Sequence, residues 1–381
     1  MKGSRLLKSS WPVIVVGAGP AGALCAYSLA RAGLSVLLLE KACFPREKPC
    51  GGGLTPKAAA LLPFSFQAVV DGEVKRAILR LPGVKTLEIG WGRPVCFLVR
   101  RELLDTYLAE QARRAGAFLR EGEEVVQIEE TGEALTVITA GGASYRAQLV
   151  IGADGALSRV ARLVGRSLPR RFALTAAITP PPAWSEKRDT ILIDLEALPY
   201  GYGWVFPKAG HLNAGVGSFA AARELRFHWE NFARRNGLGR PLRLRAHPLA
   251  LAGEETELGR GRVMLLGDAA GLVDPLTGEG LYAAFCSAQL AAKAILEEGV
   301  GERAVPRYRE LVKASLGREY HFAHRLARLF YRFLPLIARY FSSRPEQVRH
   351  FWEFLFFGGY AELFRRAGAR YWEKLLRGPS S

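Results

Sequence analysis

The hydrophobic and polar positions at the start of the chain predict a strand, a helix and a second strand in close succession. Residues 13–16 form a short apolar run, residues 21–31 carry an apolar helical pattern, and residues 35–39 form another apolar run. Short apolar runs bounded by glycine are typical of strands buried in a parallel sheet, and a helix between two of them indicates a βαβ unit. Residues 263–266 repeat the apolar run late in the chain, which predicts a further strand of the same sheet.

The rest of the apolar pattern predicts a second sheet and a helical end. Residues 172–218 alternate between apolar and polar positions, as in an antiparallel sheet, with an interruption at three consecutive prolines. The other predicted elements are strands over 74–99, a helix over 101–114, short strands to about 147, a buried strand over 149–151 and a helix over 221–235. Helices fill the chain beyond residue 266.

This order of elements predicts an α/β fold in which a Rossmann-like nucleotide-binding domain is discontinuous in sequence. An antiparallel-sheet domain that binds substrate is inserted between its parts, and a helical C-terminal region follows. A length of 381 residues fits two or three domains. The predicted boundaries are 1–60, 95–165 and 255–300 for the nucleotide-binding domain, 61–94 and 166–254 for the sheet domain, and 301–381 for the C-terminal region.

The turn between the first strand and helix has the sequence Gly17-Ala18-Gly19-Pro20-Ala21-Gly22, and the second strand leads to Glu40. In a dinucleotide-binding unit the three glycines allow a tight turn, close approach of the pyrophosphate and close packing of helix on strand. The helix N-terminus then faces the phosphate charge, and Glu40 accepts hydrogen bonds from the adenosine ribose. The late strand leads into Gly267-Asp268-Ala269-Ala270, which is typical of the site that holds the other end of the dinucleotide. Together the two motifs predict bound FAD.

The C-terminal region is both basic and aromatic, which raises the question of whether it binds a membrane. The chain has a formal net charge of +17, and residues 301–381 hold 16 Lys and Arg against 7 Asp and Glu. Apolar residues keep helical spacing over 322–341, with Arg325, Arg328, Arg332 and Arg339 mostly between them, and Pro335 is expected to kink or divide the helix. Two interpretations stay open, a helix that lies on an anionic membrane surface and a cap that packs on the catalytic domain. No nucleic-acid partner is expected, since no recognition motif accompanies the charge.

Cysteine and histidine positions argue against disulfides and metal. The five cysteines are odd in number and form no CxxC pair, which favours a reducing compartment and predicts a cytoplasmic protein, with a peripheral position on the membrane surface as the alternative. His321 and His324 have helical spacing, but no third ligand stands near them in sequence, so no metal site is expected. The sequence contains no run of about twenty apolar residues, so no membrane-spanning helix is predicted.

Over roughly residues 12–300 the chain resembles the geranylgeranyl reductase family, within the wider group of flavoproteins shaped like para-hydroxybenzoate hydroxylase. The glycine turn with Glu40, GADG at 152–155 and GDAAGLVDPLTGEG at 267–280 are shared across that group. The VRRELLD segment at 99–105 adds to the resemblance. KPCGGGLT at 48–55 and YGYGWVFPK at 200–208 are the segments that point to prenyl reductases.

The resemblance implies a set of FAD contacts. Arg101 is similar to an arginine that contacts phosphate or ribityl oxygens, Asp268 to the acid that holds ribityl hydroxyls, and Asp154 to a residue near the pyrophosphate. Backbone N–H groups around Pro275 and at 278–280 would lie near flavin N1 and O2. The full set of expected cofactor residues is Gly17, Gly19, Pro20, Ala21, Gly22, Glu40, Lys41, Cys50, Gly51, Gly52, Arg101, Asp154, Gly155, Gly267, Asp268, Pro275, Gly278, Glu279 and Gly280.

Reduction of an isolated prenyl C=C bond requires a hydride from reduced flavin, a proton for the other carbon and stabilisation of developing positive charge by aromatic faces. Tyr200, Tyr202 and Trp204 alternate on one predicted strand and are therefore expected on the same side. Cys50 lies in a Gly-rich loop expected near the flavin, as a proton donor, a gate or an inert thiol. These four residues are the catalytic candidates.

The leading interpretation is an FAD-dependent reductase that saturates prenyl chains on a diphosphate, a lipid, a chlorophyll precursor or a quinone. An aromatic monooxygenase or halogenase is the alternative, although residues 202–207 read YGWVFP and depart from the W-x-W-x-I-P segment of many halogenases. A third class is a non-catalytic escort that binds prenylated proteins. The FAD-binding motifs argue against it, because such a carrier does not require a complete FAD site. No second glycine fingerprint occurs, so NADPH would visit rather than reside, and ferredoxin or another donor protein stays open.

Overall fold

The computed structural model describes residues 10–166, 171–220, 224–253 and 257–360. Residues 221–223 of one predicted helix and 361–381 of the C-terminal region lie outside the described residues. The strands are β1 (Ser10–Val16), β2 (Val36–Glu40), β3 (Gly53–Leu54), β4 (Val70–Val74), β5 (Arg76–Arg80), β6 (Leu87–Gly90), β7 (Cys96–Val99), β8 (Phe118–Glu121), β9 (Val125–Thr131), β10 (Ala134–Thr139), β11 (Ser144–Gly152), β12 (Arg171–Ile178), β13 (Thr190–Asp194), β14 (Gly201–Lys208), β15 (His211–Ser218), β16 (Arg243–Leu249), β17 (Gly259–Arg260) and β18 (Val263–Leu265). The helices are α1 (Pro20–Arg31), α2 (Pro56–Ala59), α3 (Arg101–Arg114), α4 (Arg159–Leu163), α5 (Leu225–Arg235), α6 (Leu281–Glu298), α7 (Ala304–Val312), α8 (Arg318–Arg332), α9 (Leu334–Ser342) and α10 (Pro345–Phe357).

The first sheet is the predicted Rossmann-like core. Its main path runs β17-β18-β11-β1-β2-β8; the strands from β18 to β8 are parallel to one another, and the edge strand β17 is antiparallel to β18. The apolar runs of β1 and β2 are buried along their length because helices cover the sheet, with α1 packed against α3 and α6. The carboxyl ends of β1, β2, β11 and β18 therefore meet at one edge, although the first and last strands are far apart in sequence.

The second sheet has the order β16-β12-β15-β14-β13-β5-β6. Its pairs are antiparallel except β13 with β5, which are parallel. The alternating pattern did not predict this pair, because β5 and β13 are separated in sequence by four strands of the first sheet, and a long connection permits either direction. Ile191 and Ile193 pack towards α8–α10, whereas Leu192 packs towards α5, so helices cover both faces.

The C-terminal helices cap the second sheet. α8 ends at Arg332 and α9 starts at Leu334 with Pro335 in its first turn, so the predicted division of this helix is confirmed. Inward residues such as Ala323, Ala327 and Ala338 are buried against the sheet. Within the described ranges no helix has the length and apolar content needed to cross a bilayer.

Candidate functional site

A cavity of about 780 Å³ lies between the carboxyl edge of the first sheet, one face of the second sheet and the C-terminal helices. Most of the residues predicted to hold the cofactor line it: Gly17, Gly19, Pro20, Ala21, Glu40, Lys41, Cys50, Gly51, Gly52, Arg101, Asp154, Gly155, Asp268, Gly278, Glu279 and Gly280. Three predicted residues, Gly22, Gly267 and Pro275, are not among the lining residues of the described structure. Gly22 and Gly267 instead allow close packing, since a Cβ on Gly22 would meet Gly17 and one on Gly267 would lie 3.3 Å from Ala21.

The glycine turn has the geometry of a phosphate cradle. Gly17 has φ +97° and its N–H donates to Leu39 O at 2.7 Å, while a Cβ there would lie 2.9 Å from the Cα of Asp154. No side chain of the described residues caps the start of α1 at Pro20. Its first N–H groups are thus left for an anion at the cavity wall, as binding of a pyrophosphate requires.

Glu40 closes β2 and is 4% exposed. Its carboxylate accepts hydrogen bonds from the N–H groups of Ala18 at 2.9 Å and Ala42 at 3.2 Å and pairs with Arg46 at 3.2 Å. Glu40 therefore fixes the glycine turn, while the ribose contact stays a prediction.

Arg101 is the first residue of α3, and its side chain is buried rather than exposed to solvent. Its guanidinium makes two bonds to Asp105, at 2.8 and 3.0 Å, and Asp105 also pairs with Arg46 at 3.1 Å. Burial opposes the charge, but Asp105 and Cys50 raise the pKa of Arg101 above its ordinary value. A permanent cation is thus held beside the Gly-rich loop.

Asp268 follows β18 and lies in a cluster of charged and polar side chains. The sequence predicted Arg101 and Asp268 as site residues, but not Lys48 or His247. Lys48 Nζ lies 3.5 Å from the Asp268 carboxylate. Although burial opposes its charge, Lys48, His247 and Arg101 hold the pKa of Asp268 below the ordinary value. Burial, with Lys48, lowers the pKa of His247 to about 4, and its buried Nε2 finds no partner in the described structure. His247, on β16, was not predicted, since one histidine on an alternating strand gives no signal.

Asp154 lines the cavity, but its hydrogen bonds serve α4. The carboxylate accepts from Ser158 Oγ at 2.5 Å and from the N–H groups of Arg159 at 2.6 Å and Val160 at 3.1 Å. An acid in this arrangement satisfies the first N–H groups of a helix. Asp154 therefore lines the cavity and stabilises the start of α4, while its position beside a pyrophosphate stays a prediction.

The Gly-rich loop is held by a lysine that sequence reasoning missed. Lys208 Nζ donates to the carbonyls of Gly52 and Val99, at 3.0 Å each, and burial lowers its pKa to about 8. Gly52 has φ +68°, and its N–H lies 3.4 Å from Cys50 Sγ. Cys50 is half-buried and lines the cavity, so its thiol is presented there by a fixed loop.

Of the three aromatic residues predicted on one side of a strand, two line the cavity. Tyr202 and Trp204 line the cavity from the same face of β14, with ring centroids 6.0 Å apart. The Tyr202 hydroxyl donates to Thr277 O at 2.5 Å, and burial raises its pKa well above the ordinary value. The placement of Tyr200 beside them is wrong: it precedes β14, has φ +50°, is 45% exposed and is not among the lining residues of the described structure. A left-handed residue breaks the strand alternation.

Tyrosines of the C-terminal region hold the segment 265–280, which no motif indicated. Tyr308 donates to Leu265 O at 2.8 Å, Tyr320 to Leu272 O at 2.8 Å, Tyr331 to Leu276 O at 3.1 Å and Tyr360 to an Asp274 carboxylate oxygen at 2.8 Å. The same helices form the helical wall of the cavity, which we define by its residues Phe330, Tyr331, Ile337, Phe341, Val348, Phe351, Trp352, Leu355 and Phe356.

These residues fit FAD. The uncapped start of α1 suits a pyrophosphate, Asp268 suits ribityl hydroxyls, and α6 begins at Leu281 without a side-chain cap from any described residue, next to Gly278 and Gly280 in the cavity wall. No group of three or more His, Cys, Asp or Glu side chains among the described residues is placed to hold a metal ion.

Comparisons with known proteins show which family the chain resembles. A family model described as "Lycopene cyclase protein" matches residues 12–173. The chain is 33% identical to menaquinone reductase of Mycolicibacterium smegmatis, over 83% of this chain and 84% of that protein. It is 31% identical to geranylgeranyl diphosphate reductase of Rhodobacter capsulatus, over 75% of each chain.

A solved structure of a geranylgeranyl bacteriochlorophyll reductase-like protein from Thermoplasma acidophilum superposes with a TM-score of 0.75 at 25% identity, over 86% of this chain and 88% of that one. The likeness in sequence to menaquinone reductase spans most of both chains. The chain therefore belongs to the geranylgeranyl reductase family of FAD-dependent oxidoreductases.

Proposed function

We propose that the protein reduces C=C bonds in the prenyl chain of a lipid, with FAD as the immediate hydride source. The observation that carries this proposal is the continuity of the cavity, which runs from the glycine turn past Cys50 and Tyr202 to the helical wall. A long apolar chain needs such a wall next to the flavin, because its burial is the main source of binding free energy.

The charges around the cavity favour a neutral prenyl lipid over a prenyl diphosphate. The described helical wall contributes no charged residue to the cavity. The basic lining residues are Lys41, Arg46, Lys48, Arg101, Arg159 and Arg162, and all come from segments predicted to form the nucleotide-binding domain. These cations therefore lie in the part of the cavity where FAD is expected to bind, and not beside the helical wall. Relatives named menaquinone reductase support a prenylated quinone as the substrate class.

Reduced FAD supplies the hydride, and the chain's own residues supply the rest. The hydride forms a C–H bond at one alkene carbon, a proton forms a C–H bond at the other, and the π bond is lost. The proton uses the π electrons of the alkene, and the rings of Tyr202 and Trp204 stabilise the positive charge that develops at the carbon that awaits the hydride. We assign the proton to Cys50, because the Tyr202 hydroxyl already donates to Thr277 and its pKa is raised. The thiol then regains its proton from water.

The test is anaerobic. The bound flavin is reduced chemically, menaquinol or a geranylgeranylated glycerolipid is added, and the return of oxidised flavin absorption is followed together with the mass of the lipid. The quinol form is used because a quinone would reoxidise flavin through its head group. We expect reoxidation coupled to a gain of two hydrogens on the prenyl chain, and Cys50→Ala is expected to keep flavin but slow this step.

Geranylgeranyl diphosphate in a parallel reaction tests the head-group preference and is expected to react more slowly. Reoxidation of flavin without saturated product, or only on admission of air with formation of an oxygenated product, would replace the reductase with an oxygen-using enzyme on the same scaffold.

A further inference from the structure

The outward side of the α8–α9 pair combines apolar and basic residues. We define this outer face by Arg325, Arg328, Leu329, Arg332, Phe333, Leu336 and Arg339, all of them exposed. Leu336 is 62% exposed, and Leu329 and Phe333 are 41% exposed each. Large apolar side chains that stand together in water on a basic helix pair mark an interaction surface.

Among the residues that the structure describes, no acidic side chain balances the charge of the outer face. The sequence has no Asp or Glu between residues 320 and 345. In the part of the chain that the structure describes, Arg325, Arg328, Arg332 and Arg339 form no ion pair. Four unbalanced guanidinium groups around apolar side chains complement a surface that is anionic outside and apolar beneath, which is the profile of an anionic bilayer.

The inner side of the same helices supports a lipid as the occupant. Phe330, Tyr331, Ile337 and Phe341 alternate with the outer-face residues and line the cavity. The α8–α9 pair thus lies between the cavity and the outer face, which are separated by the thickness of one helix. We propose that the outer face docks the protein on an anionic membrane surface, with Leu329, Phe333 and Leu336 inserted below the head groups. Transfer of a prenyl lipid from bilayer to cavity then follows, and that consequence alone rests on the proposed function.

Vesicle co-sedimentation of the FAD-loaded protein tests the docking. Phosphatidylcholine vesicles are compared with vesicles that also contain phosphatidylglycerol, and we expect binding to the mixed vesicles that weakens with salt. Arg328→Gln with Arg332→Gln is expected to weaken partitioning by about thirtyfold. Leu336→Ser is expected to weaken it by about tenfold.

Matched controls lie on the opposite side of the second sheet. Arg234→Gln with Arg240→Gln removes the same charge from exposed positions in and after α5, and Leu242→Ser removes an apolar side chain that is 72% exposed. These variants are expected to bind vesicles like the parent protein. Flavin content and anaerobic turnover of a detergent-dispersed substrate verify that every variant is folded, and they report on the reductase proposal separately.

Three results would overturn the docking proposal. One is the absence of binding to either kind of vesicle, and another is equal loss of binding in the outer-face and control variants. The third is a dimer in sedimentation that Leu336→Ser converts to a monomer without any vesicle binding, which would assign the outer face to a second copy of the chain.

Discussion

The residues around Asp268 show how a charged cofactor site is maintained in a mostly apolar cavity. Asp268 carries a stabilised negative charge, Lys48 lies 3.5 Å from it, and Arg101 is neutralised in part by Asp105. His247 stands neutral among them, with its Nε2 unpaired in the described residues. An unpaired buried nitrogen costs free energy unless a ligand satisfies it. The cluster is therefore arranged for a polar ligand rather than for stability of the empty protein.

Asp268→Ala is expected to purify largely without flavin. The change removes the acceptor for ribityl hydroxyls and leaves Lys48 and Arg101 without their shared anion, so both binding and local electrostatics suffer. The ratio of visible flavin absorption to protein absorption measures the loss.

Asp189→Ala is the control, because Asp189 pairs with the exposed Arg76 on the second sheet, outside the cavity. Tyr202→Phe provides the opposite case, in which flavin is kept and turnover falls, since only the bond to Thr277 is removed. A fully yellow Asp268→Ala protein would show that the ribityl site is misplaced.

Acidification is expected to destabilise the protein through His247. The pKa of its folded form, about 4, lies below the ordinary value of 6.5 because of burial and Lys48. Between these pH values the unfolded chain binds more protons, so the free energy of unfolding falls as the pH drops from 6.5 towards 4, by roughly 2 kcal/mol from this group. Denaturant unfolding at a series of pH values measures the slope.

The variant His247→Gln is expected to lose this part of the slope, whereas His228→Gln on α5 keeps it. Equal slopes in the parent and in His247→Gln would mean that the imidazole is not held neutral in the folded state.

Single residues divide clearly into those that the sequence could predict and those that it could not. Glu40 and Asp268 were predictable, since each ends a strand next to a glycine motif. His247 and Lys208 were not, because their importance comes from neighbours far along the chain that only the fold brings close. Tyr200 was misplaced because alternation predicts a side only while the backbone stays extended, and its φ is +50°.

At the scale of elements, the C-terminal helices form part of the cavity and hold one of its segments. Their tyrosines hold the carbonyls and the acid of segment 265–280, and their inner side forms the helical wall. Periodicity predicted the helix division at Pro335 and the bounds of α3, since both depend on local signals. It left open what the helices cover, because an amphipathic pattern does not name its partner.

Tyr360→Phe is expected to loosen segment 265–280. Asp274 is 6% exposed and also accepts the N–H groups of Leu276 and Thr277, at 2.9 Å each. Loss of a hydroxyl that bonds a buried carboxylate costs about 1–3 kcal/mol. We expect this drop in the free energy of unfolding together with weaker FAD binding, measured by denaturant unfolding and by flavin titration.

Tyr107→Phe is the matched control, because it also removes a tyrosine hydroxyl that donates a hydrogen bond, here to the backbone carbonyl of Ser65, and neither of these described residues lines the cavity. It is expected to leave FAD affinity unchanged. The same FAD affinity in both variants would mean that Tyr360 holds only the helix end.

At the scale of the whole molecule, one cavity joins parts of the chain that the sequence separates. The glycine turn, the Gly-rich loop, the second sheet and the helical wall contribute to it from segments that span residues 16–356. The parallel first sheet makes this possible, because it brings the ends of β1, β2, β11 and β18 to one edge. A ligand that fills the cavity therefore contacts every layer of the fold at once.

Hydrogen exchange of the FAD-loaded protein with a saturated prenyl lipid is expected to detect this coupling. A ligand at 100 times its dissociation constant stabilises the bound state by about 2.7 kcal/mol, which slows exchange through openings that release it about a hundredfold. Protection should appear together in α8–α10, where the helical wall lies, and in segment 265–280, which the tyrosines tie to it. α5 packs on the opposite face of the second sheet and should exchange as before. Protection of α8–α10 without segment 265–280 would mean that the tyrosine bonds do not connect the prenyl end of the cavity to the flavin end.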